Sequence, residues 1–235
     1  AIAAGYKFEV EVDEPDVSPL QVQGPNSIKL MTKVFGDWIN DLSFYRFKEI
    51  NHEGIPMVIA RMGYSKELCY ELFLQDHFKG DELWEILWQA GQEFNISPGS
   101  PNIILRLEGG ILSYLADIDR TNNPYEVGLD RMVDLDQDDD FIGKDALREI
   151  CLKGPEKKLM GAEIHGDPLT IFNAEHWPVF INNKNVGSMN AMVYSPRLNK
   201  NICYTILDIE HAKSGQEIII SAPDCELKAV TVDLP

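Results

Sequence analysis

The chain has 235 residues and a net charge of −17, from 21 basic and 38 acidic residues. That length can bury a sizeable core, in one large domain or two smaller ones. The acidity argues against nonspecific binding to nucleic acid or to an anionic membrane surface.

The four cysteines, Cys69, Cys151, Cys203 and Cys225, have no CxxC spacing, and the five histidines form no ligand pattern. This fits a reducing cytoplasm and argues against a zinc site. No apolar run approaches the ~18 residues of a membrane span, and no charged stretch precedes an apolar one at the N-terminus, so neither a span nor a secretory signal is expected.

In chain order, residues 6–12 alternate and read as a strand, and the Pro-rich stretch Glu14 to Pro19 reads as a connection. Leu20 to Gln23 reads as a short strand and Gly24-Pro25 as a turn, with Ser27 the expected N-cap of a helix reaching about Phe35. Strands are expected around Phe44–Glu49, Pro56–Arg61 and residues 69–74, the first two joined by a turn at His52–Gly54. Leu83, Trp84, Leu87, Trp88 and Gly91 have the spacing of an amphipathic helix over Gly80–Phe94.

The stretch from Asn102 to Arg131 is the most informative. Ile104, Leu107, Ile111, Leu112 and Leu115 recur at helical spacing and predict a helix over 102–115, with Gly109-Gly110 inside it. Each glycine there costs about 1 kcal/mol against alanine, which suggests a close approach by a neighbouring helix or a flat ligand. On spacing alone this reads as an ordinary core helix with a buried Arg–Glu pair. Arg106 and Glu108, two apart, cannot share one helix face, so each could take an ion-pair partner of its own.

The acidic run Asp134 to Asp140 lacks the glycine and the terminal glutamate of an EF-hand loop and reads as a solvated loop. A short helix follows at Asp145–Cys151, ended by Gly154-Pro155. From Lys158 onward short alternating runs are separated by turns at Asn182-Asn183, Asn199 and Ser214-Gly215, the pattern of a small antiparallel sandwich or barrel.

The order RLEGG, Tyr114, Asp117-Ile118-Asp119, then Pro124-x-Glu126-x-Gly128-Leu129 resembles the aminomethyltransferase family, which includes the T-protein of glycine cleavage. Leu20 to Pro25, Gly63-Tyr64 to Tyr70-Glu71, Phe141 to Lys144 and Tyr194-Ser195-Pro196 agree in order. Glu14 to Leu20, Tyr64 to Lys66, Phe94-Asn95 to Pro98-Gly99 and Leu152 to Pro155 are similar to the dimethylsulfoniopropionate demethylases within that family.

The resemblance implies an α+β fold: a mixed α/β folate-binding domain over residues 1–155, then a small antiparallel β-barrel or sandwich domain over 156–235. It implies a tetrahydrofolate-dependent methyltransferase that moves a methyl group from a sulfonium donor to tetrahydrofolate. Aminomethyl transfer of the T-protein type and a non-catalytic folate-binding module are the alternatives. It covers the family's middle and C-terminal portion, with no counterpart of the first segment. The expectation is therefore a poorly active chain whose site is completed by that segment, a partner chain or a second copy.

The resemblance assigns cofactor-binding positions to Glu71, Tyr64, Arg106 and Tyr114. A carboxylate at Glu71 can accept two parallel N–H bonds from the amidine-like edge of a pterin. Without the resemblance, Glu71 is simply a polar residue alternating with apolar neighbours. Tyr64 is an aromatic suited to stacking or to enclosing a substrate cation. Arg197 and Lys200 in a turn could attract the folate glutamate tail, although exposed turn cations are usually just solvated. No Ser-His-Asp or Cys-His arrangement is legible, so no catalytic residue is assigned. No metal, nucleic acid or membrane is expected, only a small-molecule methyl donor.

Overall fold

Alternating apolar residues build a four-stranded antiparallel sheet from β1 (Ser18–Gln23), β2 (Phe47–His52), β3 (Ile55–Ala60) and β4 (Cys69–Leu74), in the order β1-β4-β3-β2. The computed structural model describes residues 14–100, 102–170, 173 and 175–234; the strand expected over 6–12 lies outside them. The chain divides into two units, residues 1–100 and 101–235, and the sheet belongs to the first.

Val22, Ile55, Met57, Ile59, Tyr70, Leu72 and Leu74 point to one face of this sheet and form its core. Two helices cover that face: α1 (Ser27–Phe35) through Leu30, Met31 and Phe35, and α2 (Gly80–Gly91) through Leu83 and Leu87. In both helices the buried residues recur one turn apart, so burial rather than intrinsic propensity holds them. Asp81 and Glu82 lie in the first turn of α2, where negative charge suits the helix dipole.

Ser27 is not the N-cap. Asn26 holds that position without a side-chain bond, and Ser27 is buried with its hydroxyl donating to the Leu68 carbonyl at 3.1 Å. The turn at Gly24, whose N–H also donates to Leu68, presses Ser27 against the segment before β4.

In the second unit, α3 (Ile103–Glu108) is capped by Asn102, whose side chain accepts from the N–H groups of Ile104 at 2.9 Å and Leu105 at 3.3 Å. The helix expected to reach 115 stops at Glu108. Gly110 takes φ 68°, which glycine adopts without the Cβ penalty, and Ile111 N–H turns back to the Arg106 carbonyl at 3.1 Å.

Helix α4 (Lys144–Lys153) follows the acidic run. There the Asp134 carboxylate accepts from the N–H groups of Asp136 and Gln137, and Lys144 Nζ donates to the carbonyls of Gln137 and Asp139. A lysine closes this loop.

Strands β5 (Lys157–Ile164), β6 (Trp177–Ile181), β7 (Lys184–Ser195), β8 (Lys200–Asp208), β9 (Glu217–Ser221) and β10 (Glu226–Val232) close into an antiparallel barrel, ordered β10-β5-β8-β7-β6-β9. The fold is therefore α+β. Asn182 and Asn183, both at positive φ, form the β6–β7 hairpin turn. Met160, Val179, Met189, Met192, Cys203, Leu207 and Ile220 fill the barrel interior. On the outside, Ala191, Val193, Tyr204 and Ile206 pack with Leu107 of α3 and with Val127.

Candidate functional site

In the first unit, period-two alternation sends Gln21, Ala60, Glu71 and Phe47 to the sheet face opposite the helices. They form one row: Gln21 and Ala60 flank Glu71, and Phe47 pairs with Ala60. Pro19, Phe73 and Val58 form the row beside it.

The Glu71 carboxyl is half-buried, and desolvation raises its pKa above the ordinary carboxylate value. Among the described residues no cation or hydrogen-bond donor meets it. Beside Gln21 and Ala60, and with no partner among the described residues, such a carboxylate can accept donors from a ligand.

Tyr64 follows a close backbone approach to β4. A Cβ on Gly63 would come within 2.5 Å of Cys69 Cβ and 2.7 Å of its Sγ, so only glycine lets the 61–66 loop lie against β4. Ser65 Oγ ties the loop to β1 by donating to Gln23 Oε1 at 2.7 Å. Burial pushes the Cys69 thiol up to about 11, so it stays protonated and is no nucleophile.

In the second unit, Arg106 is buried and ion-pairs with Asp117, whose side chain is 0% exposed. Glu108, the partner suggested by spacing, lies elsewhere: it is buried, accepts a hydrogen bond from Ser195 Oγ and pairs with Arg197. Two residues apart on a helix, the pair diverges in direction, and each found a partner on its own side. Arg106 Nη1 also donates to the Ile111 carbonyl at 2.9 Å, and its guanidinium lies 5.9 Å from the Tyr204 ring.

Asp117 is held from three sides. Besides Arg106, the Ser113 N–H donates to its Oδ2 at 2.6 Å, and Asn190 Nδ2 donates to its backbone carbonyl at 2.5 Å. Asn190 sits at the register shift of β7 between Met189 and Ala191, and the bulge aims its side chain out of the barrel strand. This network closes the base of a loop over residues 111–118. At its tip Tyr114 is 57% and Leu115 72% exposed, and Leu115 N–H donates to the Ile118 carbonyl at 2.7 Å.

Of the four expected cofactor residues, Tyr64 and Glu71 thus belong to the first unit, while Arg106 and Tyr114 belong to the second. Glu126 is a loop cap, its Oε2 accepting from Asn123 N–H at 3.2 Å. Lys200 pairs with Glu163 at 2.5 Å, so neither it nor Arg197 is a merely solvated turn cation. Asp117 had a signal in the sequence, as part of the Asp117-Ile118-Asp119 block, but Asn190 had none. No group of three or more His, Cys, Asp or Glu side chains comes together as a metal site among the described residues. No described helix is long and apolar enough to cross a membrane.

Residues 2–137 match the GCVT N-terminal domain model, and residues 157–235 match the glycine cleavage T-protein C-terminal barrel domain. Dimethylsulfoniopropionate demethylase DmdA of Ruegeria pomeroyi is 38% identical over 232 residues, 99% of this chain and 62% of the relative. An aminomethyltransferase of Bacillus mycoides is 30% identical over 226 residues, 94% of this chain and 60% of the relative. The chain thus spans about three fifths of the length of these curated relatives. The crystal structure of glycine cleavage system aminomethyltransferase T from Bartonella henselae shares the fold, with TM-score 0.76 at 20% identity over 92% of this chain and 58% of that one. On the strength of the family models, this chain belongs to the glycine cleavage T-protein (GCVT) family.

Proposed function

We propose that this chain is the folate-binding and barrel portion of a tetrahydrofolate-dependent methyltransferase acting on a sulfonium donor such as dimethylsulfoniopropionate. The observation that carries the reading is the half-buried Glu71 carboxylate, without a partner among the described residues, on the sheet face opposite the helices. The 38% identical relative, a dimethylsulfoniopropionate demethylase by name, supports the choice of donor.

When bound, tetrahydrofolate supplies N5 as the methyl acceptor, while the carbon–sulfur bond breaks with its electron pair staying on sulfur as a thioether. The chain's own part is placement. Glu71 accepts the ring's N–H edge and fixes its orientation, and Tyr64 stands beside it as an aromatic wall. By the resemblance alone, Arg106 and Tyr114 of the second unit are the other two residues proposed to bind the cofactor, Arg106 through the loop it braces. A sulfonium carbon is already activated by its charge, so no acid, base or nucleophile on the protein is required. Well-placed groups can contribute on the order of 7–11 kcal/mol to such a step.

The second reading, aminomethyl transfer, is favoured by the name of the 30% identical relative. Turnover of dimethylsulfoniopropionate against an aminomethyl-lipoyl donor separates the two. The four free cysteines support placement in the cytoplasm. A second copy, or further polypeptide supplying the rest of the relatives' length, would complete the pocket.

The direct test is calorimetry of tetrahydrofolate with the wild-type chain and with Glu71→Gln. Binding by the wild type that weakens in the variant supports the reading. Equal affinities would remove Glu71 from the site, and no binding by the wild type would end the folate reading.

A further inference from the structure

We propose that Gln21 is a specificity-determining residue of the first unit, its side-chain amide donating to the ring carbonyl of a pterin whose N–H edge Glu71 accepts. The proposal rests on the folate reading above and extends it to a residue that reading does not use.

Gln21 on β1 and Glu71 on β4 are direct cross-strand partners, and both point to the sheet face opposite the helices. Such neighbours have Cβ atoms about 5 Å apart, close enough for their side chains to pair. Both are half-buried, yet among the described residues they form no hydrogen bond with each other. A pair serving the strand alone would close on itself.

Cys69 shows where the amide points. Burial raises this thiol most, the Gln21 side chain opposes that as a hydrogen-bond partner, and the Glu71 charge adds to it. Both side chains therefore lie close to one sulfur, and Gln21 Nε2 would be 3.5 Å from a Cβ on Gly63. The thiol hydrogen goes to the Tyr70 carbonyl at 3.8 Å, so the sulfur is left to accept, and the amide nitrogen is the atom that faces it. A primary amide nitrogen carries two hydrogens. One serves the sulfur, and the other is left beside an open carboxylate.

This order of groups selects a ring. A pterin with an oxo group at C4 presents two N–H donors and then a carbonyl acceptor along one edge. A carboxylate followed by an amide N–H presents two acceptors and then a donor, which is the complement. With an amino group at C4 the ring nitrogen beside it has no hydrogen, and a donor faces the Gln21 donor. Groups left unpaired in this way discriminate as strongly as the bonds that form.

The experiment titrates the wild-type chain, Gln21→Met and Gln21→Glu with tetrahydrofolate and with its 4-amino analogue by calorimetry. Thermal melting shows which variants are folded, and either one decides. The wild type should prefer tetrahydrofolate, and Gln21→Met should narrow that preference about ten-fold, the scale of one lost hydrogen bond, by weakening tetrahydrofolate alone. Gln21→Glu should narrow it further, because a carboxylate accepts from the 4-amino group. An unchanged preference in a folded variant would overturn the proposal and leave the folate reading standing. Equal weakening of both ligands would show that Gln21 only supports the strand, and would overturn it too. A wild-type chain that takes up no tetrahydrofolate would overturn both.

Discussion

Asn190 and Asp117 lie 73 residues apart, yet the amide of one donates to the backbone carbonyl of the other at 2.5 Å with both residues buried. The bulge in β7 is what makes the contact reachable, so a defect in the barrel's register sets the shape of a loop outside the barrel. The Arg106–Asp117 ion pair belongs to the same buried network.

Breaking that pair from one side should be expensive. Asp117→Ala strands the buried Arg106 guanidinium, and removal of one partner of a buried pair costs about 3–5 kcal/mol. Denaturant unfolding should show this loss. The double variant Arg106→Met with Asp117→Ala should recover a good part of it, because no charge is then left unpaired. A double variant as unstable as the single one would mean that packing, and not charge, dominates.

Glu71→Gln should separate stability from function. Replacing an acceptor pair by a mixed donor and acceptor should cost roughly 1.5–3 kcal/mol of tetrahydrofolate affinity, read by calorimetry. The same change removes a partly desolvated charge and should raise the Tm at neutral pH.

The pH dependence follows from the direction of the Glu71 shift. Its folded pKa is raised above the ordinary 4.5 by burial. Between the ordinary value and the higher folded one, the folded chain binds more protons than the unfolded chain, so stability falls as pH rises through that window. The Tm difference between Glu71→Gln and wild type should therefore be small at pH 4 and widen, in favour of the variant, toward neutral pH. A constant difference would mean that the carboxyl is not desolvated.

Thiol reactivity offers a check on the packing. Cys151 and Cys225 are exposed and should label at once with a maleimide. Cys69, buried and pushed up to about 11, and Cys203, deep in the barrel and pushed up to about 12, should label only on unfolding.

Tryptic cleavage tests residue 155 as a domain boundary. Lys153, Lys157 and Lys158 are exposed on both sides of Gly154-Pro155. Trypsin should cut between Leu152 and Lys158 and leave the barrel beyond Lys158 intact. Resistance there, with cuts inside 159–230, would move the boundary.

Much of the fold was legible because the signals were local. Alternation in CYELFL and in the runs after Lys158 marked strands, and Asn182-Asn183 marked a hairpin, since these depend on neighbours in sequence. The helix at 102–115 overran because Leu112 and Leu115 keep the helical spacing by chance after Gly110 has turned the chain. At the candidate site, Glu71 and Tyr64 were assigned through a resemblance. Asn190 was not, because nothing local distinguishes an asparagine that reaches a carbonyl 73 residues away. Of the two spacing-based readings, the Arg106–Glu108 pair fails and separate partners hold: these come from a loop and a hairpin, out of reach of local spacing.

The order β1-β4-β3-β2 leaves two strands of the first sheet without a neighbour on their outer sides among the described residues. Each carries a deterrent. Pro19 deletes an amide donor from β1, and Lys48 and Glu49 put exposed charge along β2. The barrel, being closed, presents no edge at all. Ribbon-to-ribbon stacking of copies is thereby discouraged throughout the described strands, and an assembly of this protein would have to meet through side chains on its faces, where shape and chemistry can select the partner.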